Sequence, residues 1–95
     1  MSKTLILEAN GIVYMIARQR EIKVVVTDTA TWREVIAALA QAAPALVGEV
    51  IGKDRRSLLG DFLLNVEGGQ TVTDLDGTLS DLPETARLIL LSDLC

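Results

Sequence analysis

Residues Thr31–Pro44 read TWREVIAALAQAAP. Trp32, Val35, Ile36, Leu39 and Ala43 recur at helical spacing and define one apolar stripe. Thr31 and Glu34 form a Thr-x-x-Glu capping box, in which each side chain satisfies a free backbone N–H of the first turn. Pro44 ends the helix, because the residue before a proline is pushed out of the α region. A helix with a single apolar stripe must lay that stripe on another layer. The segments on either side of it supply strands for such a layer.

On the N-terminal side, KTLILEA (Lys3–Ala9) is a short apolar run that ends in Asn10-Gly11, a strong turn signal. IVYMIA (Ile12–Ala17) is apolar again and reads either as a second hairpin arm or as a loop packed down on the rest. REIKVVVT (Arg20–Thr27), with three consecutive valines, is a strand. On the C-terminal side, residues 45–61 read as a turn or short helix and then a loop, punctuated by Gly48, Gly52 and Gly60. FLLNVEGGQTV (Phe62–Val72) predicts two short strands around a Gly68-Gly69 turn. Residues 73–84 are turn-rich, with Leu75, Leu79 and Leu82 as inward anchors. ARLILL (Ala86–Leu91) is the last strand. The order predicts an α+β architecture: one mixed sheet with one main helix on one face, and residues 1–95 as a single domain.

Composition narrows the function. Apolar residues make up 49% of the 95 and charged residues 23%, which reads as globular. Nine basic and thirteen acidic side chains leave a net charge of −4, which argues against a nucleic-acid partner. No apolar run approaches a membrane span and no signal peptide is visible. One cysteine excludes an internal disulfide framework and points to a reducing, cytoplasmic setting. With no histidine, His-based acid–base chemistry and His metal ligands are excluded. No nucleophile–base pair or metal-ligand set can be assembled, so no catalytic residue, cofactor or metal is expected. Lys53-Asp54-Arg55-Arg56 reads as a solvated loop, and Asp74, Asp76 and Asp81 as turn formers. A lone Trp32 in the first helical turn reads as a core-edge residue.

The strands lack simple alternation. Leu5-Ile6-Leu7, Val24-Val25-Val26, Phe62-Leu63-Leu64 and Leu88-Ile89-Leu90-Leu91 are apolar at successive positions, and successive side chains point to opposite faces. Both faces are therefore expected to be apolar at the sheet centre, and one helix covers only one of them. Each large side chain left in water forgoes ~1.5–3 kcal/mol of burial. Either Ile12–Ala17 folds over the second face, or a protein partner or a second copy of the chain does.

In this order, the segments resemble the ubiquitin-like β-grasp sulfur-carrier family, which includes the small subunit of molybdopterin synthase and the thiamin-biosynthesis sulfur carrier. REIKVVVTDTATWREVIAALAQAAPAL resembles that subunit's second strand, its threonine-capped helix and a Pro-x-Leu ending, here Pro44 and Leu46. LLNVEGGQTVTDLDGTLSDL resembles the approach to the family's last strand. The resemblance implies a sheet of roughly four or five strands and, as partners, an adenylating enzyme, a synthase large subunit or a second copy. Active carriers of this family end in Gly-Gly, whose carboxylate becomes a thiocarboxylate; glycine slips into the activating enzyme's channel without a side chain to clash. Here the last residues are Asp93-Leu94-Cys95. The expectation is a non-catalytic, sulfur-carrier-like interaction module without the diglycine tail. It would dock through the free sheet face and last strand at Phe62, Leu64, Leu88, Leu90, Leu94 and Cys95. The alternative is a working sulfur carrier for molybdopterin, thiamin or cysteine-type biosynthesis with an atypical C-terminus. Cys95 reads as an ordinary terminal thiol rather than a persulfide carrier, since no neighbour in sequence stabilises a thiolate.

Overall fold

Along the first strand, β1 (Ser2–Glu8), burial alternates: Lys3, Leu5 and Leu7 are buried and the residues between them are not. This is the pattern of a sheet covered on one face. The structure, a computed structural model, describes residues 2–60, 62–67, 69, 71, 72, 74–79 and 82–92. After β1 come α1 (Gly11–Ala17), β2 (Glu21–Thr27), α2 (Trp32–Ala42), a 3-10 turn (Pro44–Leu46), β3 (Phe62–Val66) and β4 (Thr85–Ser92). The four strands form one mixed sheet in the order β2-β1-β4-β3. β1 and β4 run parallel, and the other pairs are antiparallel.

Register sets which side chains meet α2. Leu5 pairs with Val24 on one side and Ala86 on the other, Leu7 with Ile22 and Leu88, and Leu64 with Leu90. All eight are buried, along with Trp32, Val35, Ile36, Leu39 and Ala40 of α2. The predicted helical stripe is therefore the stripe that packs, and Ala43 is buried just beyond it. Pro44 stops α2 and opens the 3-10 turn, which drives Leu46 into the core. Val50, Ile51 and Leu79 close the core from the connecting segments.

The start of α2 is held by a distant loop. The first N–H groups of a helix have no partner within it. Here Trp32 N–H donates to the Gly77 carbonyl (3.1 Å), Arg33 N–H to the Leu75 carbonyl (3.1 Å) and Glu34 N–H to Thr31 Oγ1 (3.4 Å). Leu79 N–H returns to the Ala30 carbonyl at 3.2 Å. Half of the capping box is thus present. The Glu34 carboxylate lies 3.5 Å from the Thr31 hydroxyl. Leu79 is buried, and Leu75 and Leu82 pack half-buried against the core, as the sequence predicts.

Two expectations are corrected. Ile12–Ala17 is neither a hairpin arm nor a cover for the far face; it lies in α1. Its spacing gives the reason. Val13, Ile16 and Ala17 fall on one side of a helix and pack on the core, next to the 3-10 turn. That contact plugs an end of the core on the side of α2. The second arm after β3 shrinks to an isolated bridge, Asn65 with Thr71, reinforced by Val72 N–H to the Leu64 carbonyl at 2.8 Å. Gly68 lies outside the described residues, while Gly69 N–H donates to the Val66 carbonyl at 2.9 Å.

Truncating either support of the α2 start has a measurable effect. Thr31→Ala is expected to cost ~1 kcal/mol in urea unfolding, the ordinary value of an N-cap. Leu79→Ala should cost more, ~2–5 kcal/mol, because it opens a core cavity under the same loop. Equal and negligible costs would show that the loop does not hold the helix.

Candidate interaction surface

The face of the sheet turned away from α2 has no layer over it among the described residues. β2 presents Glu21, Lys23, Val25 and Thr27 there, all exposed or nearly so. Beside them stand Thr4, Ile6 and Glu8 of β1, Thr85, Arg87 and Ile89 of β4, and Leu63 and Asn65 of β3. Val25 is 60% exposed and Leu63 39%, while Ile6 and Ile89 are half-buried. The face is therefore mixed, against the expectation of apolar residues on both faces at the sheet centre. The valine run shows how the split arises: Val24 points into the core, Val25 points out, and Val26 packs half-buried on the core.

Arg87 occupies the middle of this face. Its guanidinium reaches Glu8 Oε1 through Nη2 (2.7 Å) and Nε (3.2 Å), pairs with Glu21 through Nη2, and lies 3.3 Å from Glu67 Oε2. The four residues come from β2, β1, β4 and the end of β3, so one cation ties every strand together. Glu67 N–H also donates to the Arg87 carbonyl at 3.0 Å. The hydrogen bonds that Arg87 donates to Glu21 and then to Glu8 raise its pKa above its already high ordinary value. It stays charged at any working pH. The planar fork of arginine suits contact with several carboxylates at once. Apolar residues share the face with the cluster: Ile6 and Val25 on β1 and β2, and Ile89 and Leu63 on β4 and β3.

The residues expected to dock a partner divide into three groups. Leu64, Leu88 and Leu90 do not lie on the open face. They are buried in the core beneath α2, because their register places them in phase with Leu5 and Leu7. Phe62 is half-buried at the rim, in a hollow of about 370 Å³ shared with Arg33, Ser57, Leu58, Leu63, Val72 and Leu75. Leu94 and Cys95 lie outside the described residues. Ile6, Val25, Leu63, Ile89 and the Arg87 cluster were missed. A signal for part of this set was present: Glu21, Lys23 and Val25 share one parity, and two charges in that phase mark the wet side.

The other clusters carry structure. In the Lys53–Arg56 loop, Asp54 Oδ1 accepts from the Arg56 N–H (3.0 Å) and the Ser57 hydroxyl (3.0 Å). These bonds, led by the Arg56 N–H, lower the Asp54 pKa from 3.8. Asp74 Oδ1 takes the Asp76 N–H at 3.0 Å, a turn-forming bond, and Asp76 pairs with Arg33 at 2.7 Å. Asp81 lies outside the described residues. Among the described residues no cluster of ligands could hold a metal, and no helix is long and apolar enough to cross a membrane.

Two outcomes follow from these charges. Arg87→Met leaves three carboxylates facing one another. It should lower the melting temperature at neutral pH, and the gap to wild type should narrow in ~1 M salt. A gap indifferent to salt would show that the cluster acts through packing alone. For Asp54 the folded pKa is lowered, so its contribution is present above pH 3.8 and fades as pH falls through the folded value. Asp54→Ala should remove that part of the acid sensitivity in a pH series of thermal melts, and an unchanged series would refute it.

No protein-family model matches this chain, and no curated protein does. Among solved structures, the crystal structure of SAMP1 from Haloferax volcanii superposes with a TM-score of 0.77 at 22% identity, covering 96% of this chain and 96% of its own. A crystal structure of H. volcanii small archaeal modifier protein 1 gives 0.73 at 23% identity over 93% of this chain and 94% of its own. The solution structure of the Haloferax volcanii HVO 2177 protein gives 0.69 at 20% identity over 99% and 86%. At such identities the likeness concerns the fold, and it agrees with the sheet and helix described above: an α+β fold of the ubiquitin-like β-grasp type.

Proposed function

We propose that this chain is a non-catalytic, ubiquitin-like interaction module that takes a protein partner on the open face of its sheet. The observation that carries the reading is the uncovered face itself. It has Val25 60% exposed and Leu63 39% exposed, with Ile6 and Ile89 half-buried beside them and Arg87 clamped in the middle. Exposed apolar side chains beside an arginine, a residue type enriched among interface hot spots, suit contact with a protein partner. Phe62, in phase with Leu64 and packed against the core, falls outside the proposed face. Leu94 and Cys95 are proposed contacts on sequence grounds alone.

The class of partner comes from the family resemblance, which favours an adenylating enzyme or a synthase large subunit. The modifier name borne by the SAMP1 structures is in keeping with a module that works against other proteins. The second reading is a working sulfur carrier, favoured by the same resemblance. It differs in what chemistry it leaves on the protein.

One experiment addresses both readings. The labelled chain is titrated with a purified adenylating enzyme of the family and followed by amide chemical shifts. Shifts should centre on Ile6, Leu63, Val25 and Ile89, and Val25→Glu should weaken binding at least about tenfold. Shifts confined to the outer side of α2, or none, would remove the docking reading. Adding ATP and a sulfur donor and weighing the intact chain then tests the carrier reading. A mass gain of one oxygen-to-sulfur exchange supports it, and an unchanged mass rejects it.

A further inference from the structure

The helix α1 has a side that the fold does not use. Val13, Ile16 and Ala17 hold it to the core, while Ile12 is 55%, Tyr14 40% and Met15 74% exposed. The chain leaves α1 through Arg18, Gln19 and Arg20, all exposed. Residues 11–20 thus carry two cations and no acid, in a chain whose net charge is −4. Neither arginine has an ion-pair partner among the described residues. The Arg20 guanidinium lies 5.8 Å from the centre of the Tyr14 ring, which joins the cation to the apolar side. Arg18 sits at φ 57°, a left-handed conformation that glycine adopts freely and an arginine does not.

We infer that the outer side of α1, with Arg18 and Arg20 at its edge, docks an acidic protein segment that carries a large apolar side chain. The charge selects the occupant. A second copy related by a two-fold axis would bring the same basic edge to itself, and like charges across such a contact repel. A single-face helix of seven residues offers a bilayer little to insert. An acidic polypeptide meets both features at once: the carboxylates reach Arg18 and Arg20, and the apolar side chain covers Met15 and Ile12. This surface adjoins the sheet face without sharing residues with it: Tyr14 and Arg20 line a hollow with Glu8 and Glu21, whose carboxylates pair with Arg87.

The probe is a displayed library of random dodecapeptides selected on the full chain. Enriched peptides should combine Asp or Glu with large apolar residues, and their affinity should fall as salt rises. Affinity should drop at least about tenfold in Met15→Ser and in the Arg18→Glu, Arg20→Glu double variant, and stay unchanged in Val25→Glu. Arg18→Gly keeps the test sharp where a variant misfolds. It should raise the melting temperature, since glycine suits the backbone, and still weaken binding. Several results would overturn the inference. These are enrichment no greater than on an unrelated protein, neutral or basic selected peptides, or full affinity in Met15→Ser and Arg18→Gly. Two more are a dimer in sedimentation that Met15→Ser abolishes, and binding of the chain to phosphatidylserine-containing vesicles.

Discussion

The sheet depends on its last strand. β4 lies between β1 and β3, parallel to one and antiparallel to the other. Without β4, β3 has no partner strand among the described residues and β1 keeps only β2. Unpaired backbone groups in a buried sheet are costly, and parallel pairing requires a crossover that closes a long loop. Residues 85–92 therefore complete a ladder begun at residue 2, and nearly all of the chain must be present before the sheet is whole. This explains why a fully apolar run, Leu88–Leu91, comes so late in the sequence: a central strand is apolar because it is central. Thr4 N–H donates to the Glu84 carbonyl at 2.7 Å, and the Lys3 ammonium meets the Leu82 carbonyl, which fastens the entry of β4 to the start of β1.

The second constraint is one layer of helix over a two-sided sheet. α2 shields the inner face, and α1 and the 3-10 turn seal one end of the core. The open face is made tolerable in water by chemistry rather than by cover. Arg87 draws Glu8, Glu21 and Glu67 into one cross-strand cluster, so the middle of that face is ionic. A pair of exposed charges is worth little alone, but one guanidinium shared by three carboxylates orders four strands at once. Ile6, Val25, Leu63 and Ile89 stand beside it as apolar residues of the same face. That balance leaves a face that is part ionic and part apolar.

The helix was legible because its signals are local. The stripe from Trp32 to Ala43, the Thr31 cap and the Pro44 stop all act within a turn or two. The strands were legible as segments, and the family resemblance ordered them into the right fold. The faces were misread. Leu64, Leu88 and Leu90 look as available as Leu63 and Ile89 in a run of leucines, since nothing in an unbroken apolar stretch says which parity turns inward. Residues 12–17 were misread for a related reason. In so short an apolar run, strand and helix periods both fit, and only the core-facing positions of Val13, Ile16 and Ala17 decide between them.

The sequence by itself determined the α+β class, the extent of α2, the presence of the strands and the lack of any histidine-based chemistry. These follow from composition and from spacing along a few turns of backbone. The tertiary structure alone decided that β4 sits at the centre, that Arg87 meets Glu8, Glu21 and Glu67, and that Leu63 rather than Leu64 faces water. Each of those is a pairing between residues far apart in the chain, set by strand register. Register emerges only when distant segments compete to bury their apolar sides together, and a shift of one residue would turn every side chain to the opposite face.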